Sequence, residues 1–478
     1  MKCIVIGSGN AGRPVARILN YVGHHVQITD EKKLENFAPK YQEILLQMEK
    51  EGVILNLGND IPQMVDDYDH AYISPTIPQK SPAWNILSDN NLKLIEHQEI
   101  SHILDDLIDI DIIGITGTLG KTSTTHITGQ IFESAGFKVW KCSSRHGNLL
   151  SEVIIDGIIN DYHTKNDIAV FELPHGTSRL MSEVKLKIGV LTNIYPEHLD
   201  EFDDSLEKYA QRKLFIANSS EILISTPQCR EYLEPLRDDV VYYCLQNNQC
   251  DITGKLENNH LSLKYNFNPF KNKISLNAYD GSLVTDFNLM GYYFENSLAA
   301  AAVALTYGLD KNSVKNGLSR FRGISGHLEY LGNFCGRDVH FDAAFVPEGL
   351  ISTLEQFKNR QLIVLVDNPD TTTTRDKPKI GEVIGKYADI LISSGYNETL
   401  GGINMDAAWE VLNGVENPLC QKIAVKDMTI AGETAIKISN PGDTIIHVGP
   451  GAITNYDDLK EKMIQGLKEG CKNTLNKV

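Results

Sequence analysis

The sequence contains eight cysteines but no C-x-x-C pair and no regular cysteine spacing. This scatter argues against a thiolate zinc site and a disulfide framework, and it is typical of a reducing compartment. No apolar run approaches the roughly 18 residues that a membrane span needs. The chain opens on a strand-like segment instead of a signal peptide. We therefore expect a cytoplasmic protein with reduced cysteines and no membrane contact.

Positive charge is also scarce, because 45 Lys and Arg residues face 62 Asp and Glu residues, giving a formal net charge of −17. Such an acidic chain is a poor match for the backbone of a nucleic acid. Low-complexity tracts and short internal repeats are absent from the 478 residues. At ~150 residues per domain, this length corresponds to about three domains. We expect a monomer whose partners are small molecules.

The most informative stretch is residues 110–125, IDIIGITGTLGKTSTT. Its apolar first half is typical of a buried strand of a parallel sheet, and the residues after it predict a helix. Strand, glycine loop, Lys-Thr and helix together form a cradle for nucleotide phosphates. Lys121 would reach the β- and γ-phosphates, and Thr122 would hold Mg²⁺. The strict G-x-x-x-x-G-K-[ST] pattern is missed, because Ile115 stands where its first glycine belongs.

A second glycine-rich turn lies near the N-terminus, between a predicted strand at residues 2–6 and a predicted helix at residues 14–22. The turn reads G-S-G-N-A-G, and Asp30 follows the next predicted strand. This is a Rossmann-type unit that directs an anion to a helix N-terminus. NAD, another nucleotide and no ligand all remain open at this point. Together with the break after a predicted strand at residues 70–74, the candidate substrate-binding residues here are Gly7, Ser8, Gly9, Asn10, Ala11, Asp30, Ser74, Pro75 and Thr76.

Strands alternate with helices along most of the chain, which predicts an α/β fold with mostly parallel sheets. We place domain boundaries at the acidic break near residue 108 and near residue 330. The three predicted domains are a Rossmann-like domain at residues 1–108, a central phosphate-loop domain at 109–330 and a second Rossmann-like domain at 331–478. Residues 256–284 predict a short antiparallel excursion within the central domain.

Three side chains after the phosphate loop have the chemistry to serve it. Glu172 is the first charge after the apolar residues 168–171, and a carboxylate at the C-terminal end of a strand suits Mg²⁺. His198 follows the next apolar strand and is either a ligand of a second metal or an ordinary loop histidine. Lys213 lies on a predicted helix, where spacing alone favours a surface lysine.

Taken together, these segments resemble the Mur ligase family of ATP-dependent ligases, which includes the folylpolyglutamate synthetases. Residues 117–123, GTLGKTS, resemble the family's G-T-N-G-K-T-[ST], with Leu119 in place of Asn. Residues 192–200 are similar to T-N-x-x-x-D-H-L-D, with Glu197 in place of the first Asp. Residues 209–213 match Y-x-x-x-K, whose lysine is carbamylated in many members and supports a second Mg²⁺. The resemblance implies ATP and two Mg²⁺ ions, the catalytic residues Lys121, Glu172, His198 and Lys213, and the metal ligands Thr122, Glu172, His198 and Lys213.

The match continues, with departures, into the rest of the chain. The family's adenine-binding position retains Asn296, in a segment that is one residue short. Residues 326–329 resemble G-R-x-E with His327 for Arg, and Asp342 matches an Asp at the start of the third domain, where Phe345 replaces a histidine. The resemblance implies an ATP site of Gly117, Thr118, Leu119, Gly120, Lys121, Thr122, Ser123, Asn296, His327 and Asp342.

Further segments bear on the branch within the family. Pro174-His175-Gly176 stands where the family has a serine pair after its magnesium Glu. Residues 375–378, RDKP, resemble a stretch of the branch that adds diamino acids. Tyr396, Asn397 and Glu398 fall where that branch binds its incoming amino acid. As a whole, the departures look like the archaeal branch that builds pseudomurein peptides in methanogens.

The resemblance implies the reaction ATP + carboxylate + amine → amide + ADP + phosphate, through an acyl phosphate. The expected acceptor is a UDP-linked glutamyl peptide held by the first domain. Alternatives within the family are amidation of a tetrapyrrole in methanogen coenzyme synthesis and extension of folate. Outside it, the chain could be an NAD-dependent oxidoreductase that binds its cofactor through residues 7–12, or a non-catalytic Mur-like binding protein.

Overall fold

Three β-sheets follow one another along the chain, each covered by helices. The computed structural model describes residues 1–59, 68–146, 150–245, 250–257, 260–267, 279–286, 289–371, 374–397 and 400–475. Most strand pairs in all three sheets are parallel. This confirms the α/β fold class with mostly parallel sheets.

The first sheet is parallel, in the order β3-β2-β1-β4-β5. Its central strand is buried from Cys3 to Ile6, as a sheet covered on both faces requires. Since β2 and β4 flank β1, the loops that leave these three strands meet at one edge. The elements are β1 Lys2–Ile6, α1 Gly12–Tyr21, β2 His25–Asp30, α2 Pro39–Glu51, β3 Ile54–Leu57, β4 His70–Ile73, α3 Asn85–Asp89, β5 Lys93–Leu94 and α4 His97–Leu107.

The second sheet has nine strands in the order β14-β13-β12-β11-β10-β9-β6-β8-β7. Strand β13 is antiparallel to both of its neighbours, β12 and β14, as predicted for this part of the chain. The strand before the phosphate loop, β6, lies between β8 and β9, so the ends of all three strands converge. The elements are β6 Asp111–Thr116, α5 Lys121–Ser134, β7 Val139–Cys142, α6 Leu150–Ile159, α7 Tyr162–Lys165, β8 Ile168–Glu172, α8 His175–Ser178, β9 Leu186–Leu191, α9 Leu206–Lys213, α10 Phe215–Ser219, β10 Ser220–Ser225, α11 Arg230–Leu233, β11 Val241–Leu245, β12 Ile252–Glu257, β13 His260–Phe267, β14 Tyr279–Asp286, α12 Tyr293–Tyr307 and α13 Lys311–Arg320.

The third sheet has the order β15-β16-β20-β17-β18-β19, with β15 as an antiparallel edge strand. Its longest helix, α19, has 20 residues but carries charged side chains along its length. Across the described parts of the chain, no helix combines the length and apolar character that a bilayer span requires. The elements are β15 Glu329–Phe334, β16 Arg337–Asp342, α14 Pro347–Leu354, β17 Leu362–Val366, α15 Lys377–Gly385, β18 Ile390–Ser394, α16 Met405–Asn413, β19 Gln421–Val425, α17 Met428–Ile438, β20 Thr444–Val448, α18 Gly451–Thr454 and α19 Tyr456–Leu475.

The cysteines depart from the sequence prediction of reduced thiols. The structure pairs Cys244 with Cys250 and Cys335 with Cys471, each with a Cα–Cα distance of 6.0 Å. The second pair joins the turn between β15 and β16 to α19, 136 positions later in the chain. Sequence spacing does not indicate this pair. Only the packing of the third domain brings the two cysteines together.

Ion pairs from two arginines of the first sheet's helix α1 reach α6 of the second, and one of these pairs is fully buried. Arg13 Nε lies 2.6 Å from Glu152 Oε1, and both side chains are under 10% exposed. One turn later, Arg17 binds Glu51 at 2.7 Å and also contacts Asp156. A buried guanidinium is stabilised both by hydrogen bonds and by the opposite charge of its carboxylate partner. Loss of that partner leaves an uncompensated buried charge, which destabilises the folded protein.

Glu152→Gln is expected to destabilise the protein by about 3–5 kcal/mol, because it leaves the Arg13 charge buried without its counter-ion. The free energy of unfolding from denaturant titration measures this loss. Glu221→Gln is the matched control, since the Lys187–Glu221 pair is exposed at 36% and 44% and should contribute less than about 1 kcal/mol. Equal losses in the two variants would contradict a structural role for the buried pair.

Candidate active site

A cavity of about 420 Å³ opens at the converging ends of β6, β8 and β9. Its walls come from the phosphate loop, from the loops after β8 and β9, from α12 and from the start of α14. The third domain therefore supplies part of the lining. The predicted site residues that line it are Thr118, Leu119, Gly120, Lys121, Thr122, Ser123, Glu172, His198, Lys213, Asn296, His327 and Asp342.

The phosphate loop has a backbone that only glycine allows at two points. Gly117 has a φ of +141°, and a Cβ there would lie 1.9 Å from Thr192 Oγ1. Gly120 has a φ of +82° and caps α5, and a Cβ there would lie 2.5 Å from Asn296 Oδ1. The loop is therefore packed too closely against its neighbours for any side chain at either position.

Side chains after β9 fix the middle of this loop. The Leu119 N–H donates to Asn193 Oδ1 at 2.8 Å, and the Leu119 carbonyl accepts from Thr192 Oγ1 at 2.7 Å. The Leu119 side chain faces α14, where a Cβ on Gly349 would lie 3.5 Å away. The residue that departs from the family's loop thus contacts the third domain.

Thr122 and Glu172, the two predicted ligands of Mg²⁺, lie within hydrogen-bonding distance of each other. Thr122 Oγ1 donates to Glu172 Oε2 at 2.9 Å, and the Ser144 N–H donates to the same oxygen at 3.0 Å. Glu172 is 4% exposed. Adjacent oxygen ligands of octahedral Mg²⁺ lie roughly 2.9 Å apart, given metal–oxygen distances of about 2.0–2.1 Å. The pair therefore fits a Mg²⁺ ion with little movement.

Lys213 is buried, in contrast to the surface position that its spacing alone favours. Its Nζ donates to the Gly117 carbonyl at 2.8 Å and lies 4.5 Å from the centre of the Tyr209 ring. Burial, followed by the charge of Lys121, lowers the pKa of Lys213 to about 7. A large fraction of the amine is then neutral near neutral pH, the form that carbamylation requires.

Glu197 lies among four basic side chains. Burial alone would raise the pKa of its carboxyl, but electrostatic interactions with His198, Lys121, Lys213 and Arg375 outweigh burial and lower that pKa. The net result is an ionised carboxylate inside the cavity. Glu197 stands where the family motif has an Asp. The substitution lengthens the side chain but retains the carboxylate.

Arg375 reaches Glu197 from the third domain, and the sequence prediction did not place it in the site. Its Nη2 is 3.7 Å from Glu197 Oε1, and its guanidinium lies 4.8 Å from the centre of the Phe345 ring. Motif spacing has no signal for this contact, since the two residues lie on different domains. The only hint was that residues 375–378 resemble a family stretch.

The predicted adenosine-binding residues line the cavity but differ in how they are engaged. The side-chain nitrogen of Asn296 is buried and makes no hydrogen bond in the structure. Asp342 accepts hydrogen bonds from Tyr292 at 2.8 Å, from the Ala343 N–H at 2.8 Å and from Thr353. Asn296 is therefore ready for a ligand acceptor, whereas Asp342 must exchange a partner to bind one.

The candidate substrate residues of the first domain lie together at the edge where β1, β2 and β4 end. The Ser8 N–H and Oγ both donate to Asp30 Oδ2 at 2.7 Å, and a Cβ on Gly7 would lie 2.9 Å from the Ser74 side chain. Arg13 holds the same loop through Asn10 Oδ1 at 3.2 Å. The members of this edge are Gly7, Ser8, Gly9, Asn10, Ala11, Asp30, Ser74, Pro75 and Thr76.

Tyr396 and Asn397, predicted near the incoming amino acid, do not line the large cavity as the structure describes it. The Asn397 amide donates to the Asp370 carbonyl at 2.9 Å, and Lys462 lies over the Tyr396 ring. Both side chains thus make contacts within the third domain. Glu398 lies outside the described residues.

The sequence matches the Mur ligase middle domain over residues 115–304. An uncharacterised protein of Methanothermobacter thermautotrophicus is 36% identical over 217 residues, which cover 45% of this chain and 69% of that protein. The UDP-N-acetylmuramoylalanine–D-glutamate ligase of Clostridioides difficile is 26% identical over 455 residues, covering 93% of this chain and 92% of the ligase. The sequence relationship therefore extends well beyond the phosphate loop.

Solved structures show the same fold at lower sequence identity. A pseudomurein peptide ligase type C from Methanothermus fervidus has a TM-score of 0.58 at 19% identity, covering 97% of this chain and 99% of that one. The folylpolyglutamate synthase of Mycobacterium tuberculosis, solved with ADP and AMPPCP, has a TM-score of 0.57 at 15% identity, covering 79% of this chain and 94% of its own. On the combined evidence of sequence, fold and site geometry, the chain belongs to the Mur ligase family, whose members are ATP-dependent amide ligases.

Proposed function

We propose that this chain joins an amino acid to a carboxylate of a UDP-linked glutamyl peptide, at the expense of ATP, in the assembly of pseudomurein. The observation that carries the proposal is one cavity that holds the phosphate loop, Glu172, His198 and Lys213. The third domain supplies part of the wall of this cavity, so it would take part in binding the substrates.

ATP is the nucleotide that the cavity suits. Lys121 and the N-terminus of α5 lie where the phosphates would bind, and the unpaired amide nitrogen of Asn296 suits an acceptor on the base. In the present structure the Lys121 ammonium donates to the Thr118 carbonyl at 2.7 Å, so it must turn to meet a phosphate. The folylpolyglutamate synthase of the same fold was solved with ADP and with an ATP analogue.

Magnesium would be held by Thr122 and Glu172, with a second metal near His198 and Lys213. Divalent ions at these places offset the charge of the transferring phosphoryl group and bring two anions together. A carbamylated Lys213 keeps one N–H, so it can still donate to the Gly117 carbonyl while its new carboxylate faces the cavity. A lysine at this position can therefore act both on the loop and on a metal.

The chemistry runs in two steps at one place. The acceptor carboxylate attacks the γ-phosphorus of ATP, and Lys121 offsets the charge that develops on the phosphoryl oxygens. The amine of the incoming amino acid then displaces phosphate from the acyl phosphate, losing a proton as the amide forms. Glu197 and His198 line this part of the cavity, with Arg375 against Glu197, and they would limit the access of water to the acyl phosphate.

A UDP-linked acceptor is favoured over folate by the extent of the fold. The pseudomurein ligase covers 97% of this chain, whereas the folylpolyglutamate synthase covers 79%. The difference between these two coverages corresponds to about the length of one small domain. The first sheet, with its glycine-rich edge, is suited to the diphosphate of a uridine nucleotide.

Lys213→Ala is expected to abolish ligation, with at most partial rescue by added short carboxylic acids, because it removes the ligand that carbamylation would create. Phosphate release and mass spectrometry of the product measure the effect. Lys208→Ala is the matched control, as Lys208 lies on the same helix but is 55% exposed. Full activity of Lys213→Ala would rule out its role at a second metal.

A screen of phosphate release tests the substrates directly. The protein is mixed with ATP, Mg²⁺, single amino acids and one acceptor, either a UDP-linked glutamyl peptide, a folate or a tetrapyrrole acid. We expect release only when an amino acid and the UDP-linked peptide are both present. Release with the folate or the tetrapyrrole instead would reassign the acceptor, and no release with any pair would support a non-catalytic binding protein.

A further inference from the structure

Helix α4 of the first domain packs against the central domain just after α8. The Glu183 N–H donates to Ser101 Oγ on α4 at 2.8 Å. His97 is the first residue of α4, and Arg179 directly follows the last residue of α8. His97 and Arg179 therefore belong to the two elements that meet where the first and central domains join.

Two polar side chains of the first domain lack hydrogen bonds at this junction. Within the part of the chain that the structure describes, the Tyr72 hydroxyl and His97 Nδ1 are buried and have no partner. Tyr72 is 1% exposed, and its ring meets the His97 ring edge to face with centres 5.5 Å apart. Burial raises the pKa of Tyr72, and the positive charge of Arg179 opposes that rise. A buried hydroxyl without a partner costs free energy, so it is poised to donate to an acceptor.

The central domain brings two guanidinium groups to the same place. Arg212 lies on α9, which packs against α8, and Arg179 and Arg212 are both half-buried. Among the described residues, neither guanidinium pairs with a carboxylate or donates a side-chain hydrogen bond. By contrast, Arg13 and Arg237, which are also shielded from water, each bind a carboxylate. Arg179 and Arg212 are thus cations without a counter-ion in the chain.

The charges of these arginines act on each other and on His97. Burial and the charge of Arg179 lower the pKa of Arg212, so the two guanidinium groups are close enough to repel each other. Burial, followed by Arg179 and Arg212, lowers the pKa of His97 to about 4. His97 is therefore neutral at pH 7 and carries one ring N–H. An anion at the junction would relieve the repulsion between the arginines and accept from the neighbouring hydroxyl.

We propose that Tyr72, His97, Arg179 and Arg212 form a binding site for an oxyanion at the junction of the first and central domains. A carboxylate or a phosphate group offers several acceptor oxygens, and a guanidinium binds either group through two parallel hydrogen bonds. In the structure as described, none of the four residues lines the large cavity. The site is therefore separate from the phosphate loop and from the proposed metal ligands.

The place of the site in the chain connects it to the acceptor, a use that rests on the function proposed above. Tyr72 lies on β4, two residues before Ser74 of the glycine-rich edge. Arg212 directly precedes Lys213, which lines the large cavity. The site thus adjoins both places that the acceptor is proposed to occupy. The diphosphate of a uridine nucleotide and a glutamyl carboxylate that does not react are the two sources of such an anion.

The test is anion binding by the full chain, measured by calorimetry. Mg²⁺ and a non-hydrolysable ATP analogue are present throughout, so that the phosphate loop is occupied. The probes are inorganic pyrophosphate and a glutamyl dipeptide that carries no nucleotide. We expect a single site for one of these probes. Binding of pyrophosphate would identify the diphosphate as the occupant, and binding of the dipeptide would identify the carboxylate.

Arg179→Gln and Arg212→Gln should each weaken this binding by about tenfold or more, the loss expected for one charge-assisted hydrogen bond. Arg320→Gln is the matched control, because Arg320 is an exposed arginine at the end of α13. It should bind the probe like the unaltered protein. Thermal unfolding of all three variants without the probe checks that they are folded.

Tyr72→Phe separates anion binding from folding. It removes a buried hydroxyl that has no partner, so the free protein should unfold at the same temperature or higher, while the probe binds more weakly. A residue with only a structural role would not give these opposite effects. A lower unfolding temperature with unchanged probe binding would contradict the role of Tyr72 in the site.

The proposal is overturned if neither probe binds, or if Arg179→Gln and Arg212→Gln bind the probe as tightly as Arg320→Gln. Neither result depends on ligation. Arginine-dependent binding of a probe by a chain that fails to ligate would retain the anion site and reject the proposed function. Ligation of the UDP-linked peptide with unchanged probe binding in the arginine variants would do the reverse.

Discussion

The structure of the site depends on how the phosphate loop is held before any nucleotide binds. Lys213 binds the carbonyl of Gly117, and Thr192 and Asn193 bind the two ends of the Leu119 peptide unit. The N–H groups of Thr118 and Leu119 already donate to Asn193, so an anion would be met mainly by the N-terminus of α5. Lys213, which the proposed function assigns to a metal, is therefore also one of the residues that shape the loop.

Much of this arrangement could be predicted from the sequence, because parallel strands bring their C-terminal ends to one edge. Glu172 was placed beside the phosphate loop on that ground, whereas His198 and Lys213 were assigned to the site only through the resemblance to the family. Contacts between domains escaped prediction: the approach of Arg375 to Glu197 and the pairing of Cys335 with Cys471 follow from packing that no local pattern encodes.

The third domain contributes to the site through contacts that a nucleotide would have to change. Asp342 is 1% exposed, and its oxygens already accept from Tyr292, the Leu328 N–H, the Ala343 N–H and Thr353. A ribose hydroxyl can bind Asp342 only by replacing one of these donors. Tyr292 and Leu328 precede β15, whereas Asp342 and Thr353 lie beyond it. Nucleotide binding at Asp342, as proposed, would therefore change hydrogen bonds that join the two sides of β15.

The departures from the family's motifs lie mainly where the central and third domains meet. Leu119 places an apolar side chain against α14 at Gly349, and Phe345 offers its ring to Arg375. A guanidinium over an aromatic face gains roughly 0.5–2 kcal/mol, more as water is excluded. Arg375 is thereby held beside Glu197 with only 10% of its side chain exposed. Its positive charge lies 3.7 Å from Glu197, so Phe345 helps to hold a charge of the third domain against a carboxylate of the central domain that lines the cavity.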